Sequence, residues 1–418
     1  MNYRERFLAI NHFIKAYQKI WQNEIMLMYP TPLSDYPLEW IQEISGFKEK
    51  KDIMQIERRD VFDLIKLPSL RAFYQQIEEL SQFEKISPSS PLPTDAKTFL
   101  YMIPKKQHEI KHLAPIINDF HKSLKIKKIV DIGGGIGLLA QTLASQYGLE
   151  VTSLDQDLTL QKTGQERAQK KTRIHENLVK YHQMRVSKDD PLFLKHLSTE
   201  TMSVGLHTCG PLAVDQIIAS ATKKIPALIN SACCYNKLGS IQNISTFAQE
   251  HHPTTMQLFA LTLATRAHKK LEEKDYDLKM KVKRYRYAFH FLLHDEYNIK
   301  ELMPLGNSTA KLYDKSFSTY ALDQFKRIGI EPRHCEEALE KYFADPARQE
   351  LIWQMLAGGI IRNAIGRLLE VYLLLDRVLY LEEHGYKVQL LQVFDEILSP
   401  RNLGIIANLD ETLLSSHD

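Results

Sequence analysis

The stretch VDIGGGIGLLA, residues 130–140, sets four glycines among five positions between two apolar runs. A strand that runs into glycine and then into a helix brings backbone N–H groups and the positive helix end against a ligand, with no side chain to hold it off. The dinucleotide fingerprint wants glycine at its first, third and sixth positions, but counting from Gly133 the sixth is Leu138. Gly133, Gly135 and Gly137 instead give the G-x-G-x-G spacing of an S-adenosylmethionine (SAM) site. Asp155 closes the next strand-like run, where a carboxylate can accept both ribose hydroxyls. Asp131 has two readings: beside the donor's ammonium and sulfonium, or bonding the loop's own N–H groups.

A second group of chemically capable side chains follows. His207 and Cys209 leave one strand-like run, and Cys233, Cys234, Tyr235, Asn236 and Lys237 leave the next. An imidazole near neutrality can take a proton from an acceptor, or it can orient a loop by hydrogen bonds. Tyr235 can stack on a planar substrate, and Lys237 or Arg401 can hold a phosphate; Arg401 can equally tie a turn to carbonyl oxygens. Asn402 lies beside Arg401, and Lys105 and Lys106 open a helix where amines suit an anionic group. No metal is expected, because adjacent cysteines fit tetrahedral chelation poorly and no C-x-x-C pair is present. The thiols then serve as substrate contacts, Cys209 and Cys234 foremost, or as small apolar packing.

The elements that must position these groups show as changes of period. Runs at 128–132, 150–155, 179–186, 203–207 and 227–234 are short and apolar or β-branched, with helix-length stretches between, which predicts a parallel sheet. Two further runs, 386–394 and 402–409, are joined by a short turn and predict an antiparallel hairpin. The fold class expected is α/β: a Rossmann-like seven-stranded SAM-dependent methyltransferase sheet with an N-terminal helical region and a helical insertion before the last two strands. The boundaries read as 1–95 for the N-terminal helices, 96–245 for strands one to five, 246–383 for the insertion and 384–418 for the hairpin. SPSSPLPTD, 87–95, reads as a linker. In such a sheet, ligands gather at the carboxyl ends of the strands, where the groups above emerge.

Composition narrows the class. The 418 residues carry a formal charge of +3, with 44% hydrophobic and 25% charged residues, as soluble globular chains do. No apolar run reaches a membrane span: even 351–381 is cut by Arg362, Arg367, Glu370, Asp376 and Arg377 and reads as buried helix. The four cysteines and an N-terminus without signal-peptide character point to a reducing, cytoplasmic setting. KMKVKRYRYAFHF, 279–291, has the basic and aromatic mix of a nucleic-acid contact, or is a helix with one wet and one buried face. Oligomeric state is not legible.

Five segments in register, MIPKKQHEI (102–110), VDIGGGIGLLA, GLHTCGPL (205–212), ACCYNKL (232–238) and LSPRNLGIIA (398–407), resemble the methyltransferase-like 25 group, which includes the protein named for a ribosomal RNA adenine dimethylase domain. The resemblance runs from about Met102 to the C-terminus and implies SAM as cofactor and methyl transfer as activity. A more distant likeness is to tRNA 2′-O-methyltransferases that pair an H-x-C-G strand end with a C-C-aromatic segment. Taken together, the expected acceptor is a nitrogen or oxygen nucleophile on RNA first and on protein second, with His207, Tyr235 and Arg401 positioning or deprotonating it. A non-catalytic scaffold binding SAM or RNA is the reading from a different class.

Overall fold

A computed structural model describes residues 1–47, 49–59, 63–86, 90, 92, 99, 102–169, 178–266, 272–303, 305 and 308–410. Most of the expected linker at 87–95 lies outside these, with only Ser90 and Leu92 described. The chain divides into two compact units: Met1–Lys15, Leu80–Lys269 and Leu368–Asp418 form one, and Ala16–Glu79 with Lys270–Arg367 the other.

The first unit holds a seven-stranded sheet in the order β3-β2-β1-β4-β5-β7-β6. Its strands are β1 (Lys128–Ile132), β2 (Val151–Asp155), β3 (Val179–Gln183), β4 (Thr201–Cys209), β5 (Ala227–Cys233), β6 (Tyr386–Gln392) and β7 (Leu403–Leu409). Strands β1 to β5 pair in parallel, and β7 is antiparallel to both of its neighbours. The expected α/β sheet is thus observed. β5 is buried at every position because central strands are covered on both faces and need apolar side chains on each, whereas edge strand β3 is mostly exposed or half-buried.

Chain order reverses between β1 and β4. The helix Leu138–Tyr147 after β1 leads to β2 on one side, and the helix Pro211–Thr222 after β4 leads to β5 on the other. A crevice therefore opens over the carboxyl ends of β1 and β4. The helix Pro104–Ser123 buries Ile110, Leu113, Ala114 and Ile117 in the core that includes Ile129, Val151, Val204, Ile229 and Ile406.

Behind the glycine loop, buried Gln141 donates through Nε2 to the Ile136 carbonyl at 2.9 Å, the Gly164 carbonyl at 3.2 Å and the Tyr181 hydroxyl at 2.9 Å. One amide thus joins the loop, the helix Leu158–Gln169 and β3. A Cβ at Gly164 would sit 2.6 Å from the Ile136 carbonyl oxygen, so that helix reaches the loop only because this position lacks a side chain.

The second unit is helical. Residues 279–291 fall in the helix Glu273–Tyr297, which buries Tyr285, Tyr287, Phe289 and Phe291, while Lys279 pairs with Glu57 and Arg284 donates to Gln349 at 2.6 Å. Within 279–291 only Arg284 is exposed; the remaining positions are half-buried or buried. Pro346–Glu383 is a single helix, with residues up to 367 in this unit and the remainder in the first. Among the described residues no helix is long and apolar enough to cross a membrane.

Gly164→Ala is expected to lower Tm by roughly 2–10 °C, since the obstacle is backbone of the glycine loop and overpacking costs about 1–3 kcal/mol. Gly46→Ala, where nothing lies within 4 Å of the added carbon, should not lower it. Differential scanning calorimetry of the two variants decides it.

Candidate functional site

A cavity of about 380 Å³ opens at the crevice, within the usual range for small-molecule sites. Gly133, Asp155, Cys209 and Lys237 line it, with Leu212 and the side chains that follow β3, Met184 and Val186, as apolar wall. Gly133, Gly135 and Gly137 all have positive φ, 69°, 58° and 67°, so the loop takes a path that side-chain-bearing residues rarely adopt. Gly134 is excluded from carrying a side chain for another reason: its Cβ would lie 2.4 Å from the Ser153 Oγ and 2.7 Å from the Asp131 Oδ2.

Asp155 holds this loop from the side. Its Oδ2 accepts from the Gly135 N–H and its Oδ1 from the Asp157 N–H, both at 2.9 Å. A carboxylate has about four lone-pair sites, so two remain for a ligand's hydroxyls.

Asp131 lies beneath the loop and is 2% exposed. It accepts from the Ala140 N–H in the first turn of the helix Leu138–Tyr147, whose N-cap Gly137 offers no side chain. Its Oδ2 has no hydrogen-bond partner among the described residues. Burial pushes its carboxyl up to about 7; Asp155 adds to this and Lys106 opposes it.

A second cluster, at the carboxyl end of β4, is built around Glu109 of the MIPKKQHEI segment. On the Pro104–Ser123 helix it is fully buried, and its Oε1 meets His207 Nε2 at 2.5 Å and Ser399 Oγ at 2.8 Å. Lys106 Nζ lies 3.1 Å from Oε2 and Lys105 Nζ 3.5 Å from Oε1. Burial works against ionisation here, but His207, Lys106 and Ser399 outweigh it and hold the carboxyl well below its ordinary range. Burial lowers the His207 pKa despite the carboxylate, and Lys106 and Lys105 lower it further. A carboxylate only accepts, so a neutral His207 carries its proton on Nε2 and leaves Nδ1 as the acceptor.

His207 reaches Glu109 because β4 bulges there. Leu206 pairs with Ser231 and Thr208 with Ala232, so His207, at φ 65°, is the extra residue, and a bulge re-aims its side chain. Its imidazole is not among the groups lining the cavity.

The loop after β5 is set by the end of the long helix. Tyr235, 3% exposed, donates its hydroxyl to Glu370 Oε1 at 3.1 Å, so its ring is enclosed. Buried Asp376 accepts from the Ile244 and Ser245 N–H groups and from Ser245 Oγ, and Arg377 donates to the Gln242 carbonyl. Arg401 donates to the Thr265 carbonyl at 3.3 Å, the turn-tying arrangement, and Asn402 is buried with its carbonyl accepting from the Val393 N–H. Cys209 and Cys233 are register partners with sulfurs 3.2 Å apart, and Cys234 lies next to them. Hydrogen bonds from Cys233 and Cys234, with Lys237 nearby, hold the Cys209 thiol down to about 5.

Residues 105–240 match a family described as "Methyltransferase domain". The chain is 25% identical over 238 residues to the Homo sapiens "Probable methyltransferase-like protein 25" and 26% identical over 230 residues to its Mus musculus namesake. Each match covers 50% of this chain and 37% of the relative, so the chain spans little more than a third of the length of the curated relatives it matches. The expected resemblance to the methyltransferase-like 25 group is shown by these matches.

The orphaned Asp131 oxygen gives a test. Its folded pKa, about 7, lies above the ordinary value of 3.8, so the fold favours the protonated form. That stability is full below the unfolded pKa and is lost as pH rises through 7. Asp131→Asn should therefore raise Tm by a few degrees, roughly, at pH about 8.5, and by much less at pH about 5. A Tm difference that does not change with pH would contradict the assignment.

Proposed function

We propose that this chain, a relative of the methyltransferase-like 25 proteins, is a SAM-dependent methyltransferase that modifies a nitrogen or oxygen nucleophile, with RNA as acceptor. The observation that carries the reading is Asp155 bonded to the Gly135 N–H on the wall of a cavity that also exposes Gly133, Cys209 and Lys237. The residues present fit the donor. The positive-φ glycine loop keeps side chains off the cavity wall and Asp155 has lone pairs to spare, while Met184, Val186 and Leu212 supply apolar wall for a base.

When bound, the donor supplies a methyl group already activated on a sulfonium. The chain's work is then alignment and exclusion of water, for which oriented approach can supply on the order of 7–11 kcal/mol. Asp155 and the loop fix the donor end. Lys237, exposed at the cavity, offers a cation to an anionic acceptor such as a phosphate. His207, neutral with Nδ1 as acceptor but outside the cavity lining, would take a proton from a nucleophile that approaches beside the cavity at the end of β4, a role worth roughly 10² to 10⁴ in rate. RNA is favoured by Lys237 and by the likeness of the His-x-Cys-Gly and Cys-Cys-Tyr segments to tRNA-modifying enzymes.

Two substitutions separate donor binding from transfer. Asp155→Ala should abolish calorimetric SAM binding. His207→Ala should bind SAM as wild type while slowing transfer of labelled methyl from SAM into RNA isolated from cell extract by roughly 10² or more. Label recovered in the protein fraction instead would move the acceptor to protein. Demonstrated SAM binding with no label in any fraction would leave a binding scaffold, and no SAM binding by the wild type would overturn the reading.

A further inference from the structure

Three of the chain's four cysteines meet at the carboxyl edge of the sheet. The Cys209 and Cys233 sulfurs are 3.2 Å apart, those of Cys233 and Cys234 3.6 Å, and all three lie within 4.8 Å of one another. The expectation against a metal rests on adjacent cysteines fitting tetrahedral chelation poorly and on the absence of a C-x-x-C pair; the first ground concerns how Cys233 and Cys234 are turned. The backbone removes that objection. Cys234 has φ 51° and ψ 50°, a left-handed conformation uncommon for a residue with a side chain, and it turns the sulfur back beside that of Cys233. From the other strand, register pairing brings Cys209 opposite Cys233.

We propose that Cys209, Cys233 and Cys234 form a three-thiolate site for a soft d¹⁰ metal ion, zinc(II) in the first instance. Zinc–sulfur bonds of about 2.3 Å at tetrahedral angles set sulfurs about 3.8 Å apart, so the 3.2 Å separation needs to open by about 0.6 Å and the 3.6 Å one by about 0.2 Å. Thiolates select soft or borderline ions over magnesium or calcium. Three thiolates and zinc(II) carry one net negative charge, and Lys237 and Arg401 stand close enough to Cys209 and Cys234 to favour it. Cys209 and Cys234 are half-buried, which leaves a route for entry. Three protein ligands also leave a tetrahedral ion one open position. The fourth cysteine, Cys335, is exposed and outside the cluster.

The site is tested by metal binding itself, whether or not the chain transfers methyl groups. Full-length protein, reduced and stripped of metal, is titrated with cobalt(II) without oxygen and then with zinc(II). The expected result is one cobalt per chain with a sulfur-to-cobalt charge-transfer band, bleached by one equivalent of zinc. Cys209→Ser and Cys234→Ser should weaken binding by more than about a hundredfold, whereas Cys335→Ser should titrate as wild type. Because a serine variant can fail to fold, the wild type is also alkylated with and without zinc and mapped by peptide mass. Zinc should protect residues 209, 233 and 234 and leave 335 reactive. A wild type that shows no charge-transfer band, or that alkylates equally at the three positions with and without zinc, overturns the site. Undiminished cobalt binding by the folded serine variants does the same.

Discussion

The site depends on one buried anion. Taking a carboxylate out of water costs several kcal/mol unless charge and hydrogen bonds replace its hydration, and Glu109 has both. His207 and Ser399 share one of its oxygens, and Lys105 and Lys106 bring two ammonium groups. Each partner comes from a different part of the first unit: the bulge in β4, the β6–β7 turn, and the opening turn of the helix that carries Glu109 itself. Removing a partner would weaken the compensation of a carboxylate held away from water, so these segments are constrained to one arrangement. The neighbouring His108 adds a second tie, its Nε2 accepting from the Asp395 N–H at 2.9 Å in the same turn.

Around that anion the chain uses backbone conformations that ordinary strands avoid. His207, Gly210 and Cys234 all have positive φ, and all three sit where β4 and β5 end. Gly210 must be glycine, because an added Cβ would lie 2.6 Å from that of Lys237. These corners turn the imidazole toward Glu109 and the three sulfurs toward one another. The loop that follows Cys234 is held from far along the chain, by Glu370 through Tyr235 and by Asp376 through Ile244 and Ser245. Two of the charged residues that interrupt the apolar pattern of the long helix thus have partners in this loop.

Much of the scaffold was legible because it is written in period. Strand β1 lies where the apolar run places it, and β4 extends the expected 203–207 by two residues at each end. The hairpin and the glycine loop follow from short-range patterns that need no knowledge of partners. Glu109 was harder, because an apolar template passes over charged residues. Its signal was a carboxylate four residues before Leu113 and eight before Ile117, on the face that packs into the core. Tyr235 read as a platform for a substrate, yet its hydroxyl partner stands 135 residues away, beyond any local pattern. The left-handed turn at Cys234 carries no compositional mark at all, and so adjacent cysteines read as poor partners for one metal ion.

The claim on which the account turns is that Glu109 is ionised and holds His207 as the neutral Nε2–H tautomer. Nitrogen-15 spectra of the histidine rings, with His207→Gln used to assign the signal, read this directly. The account predicts a protonated Nε2 and a bare Nδ1 at pH about 7, with protonation of the ring only below the ordinary histidine value of about 6.5. An imidazolium at pH about 7, or a proton on Nδ1 with Nε2 bare, would contradict it.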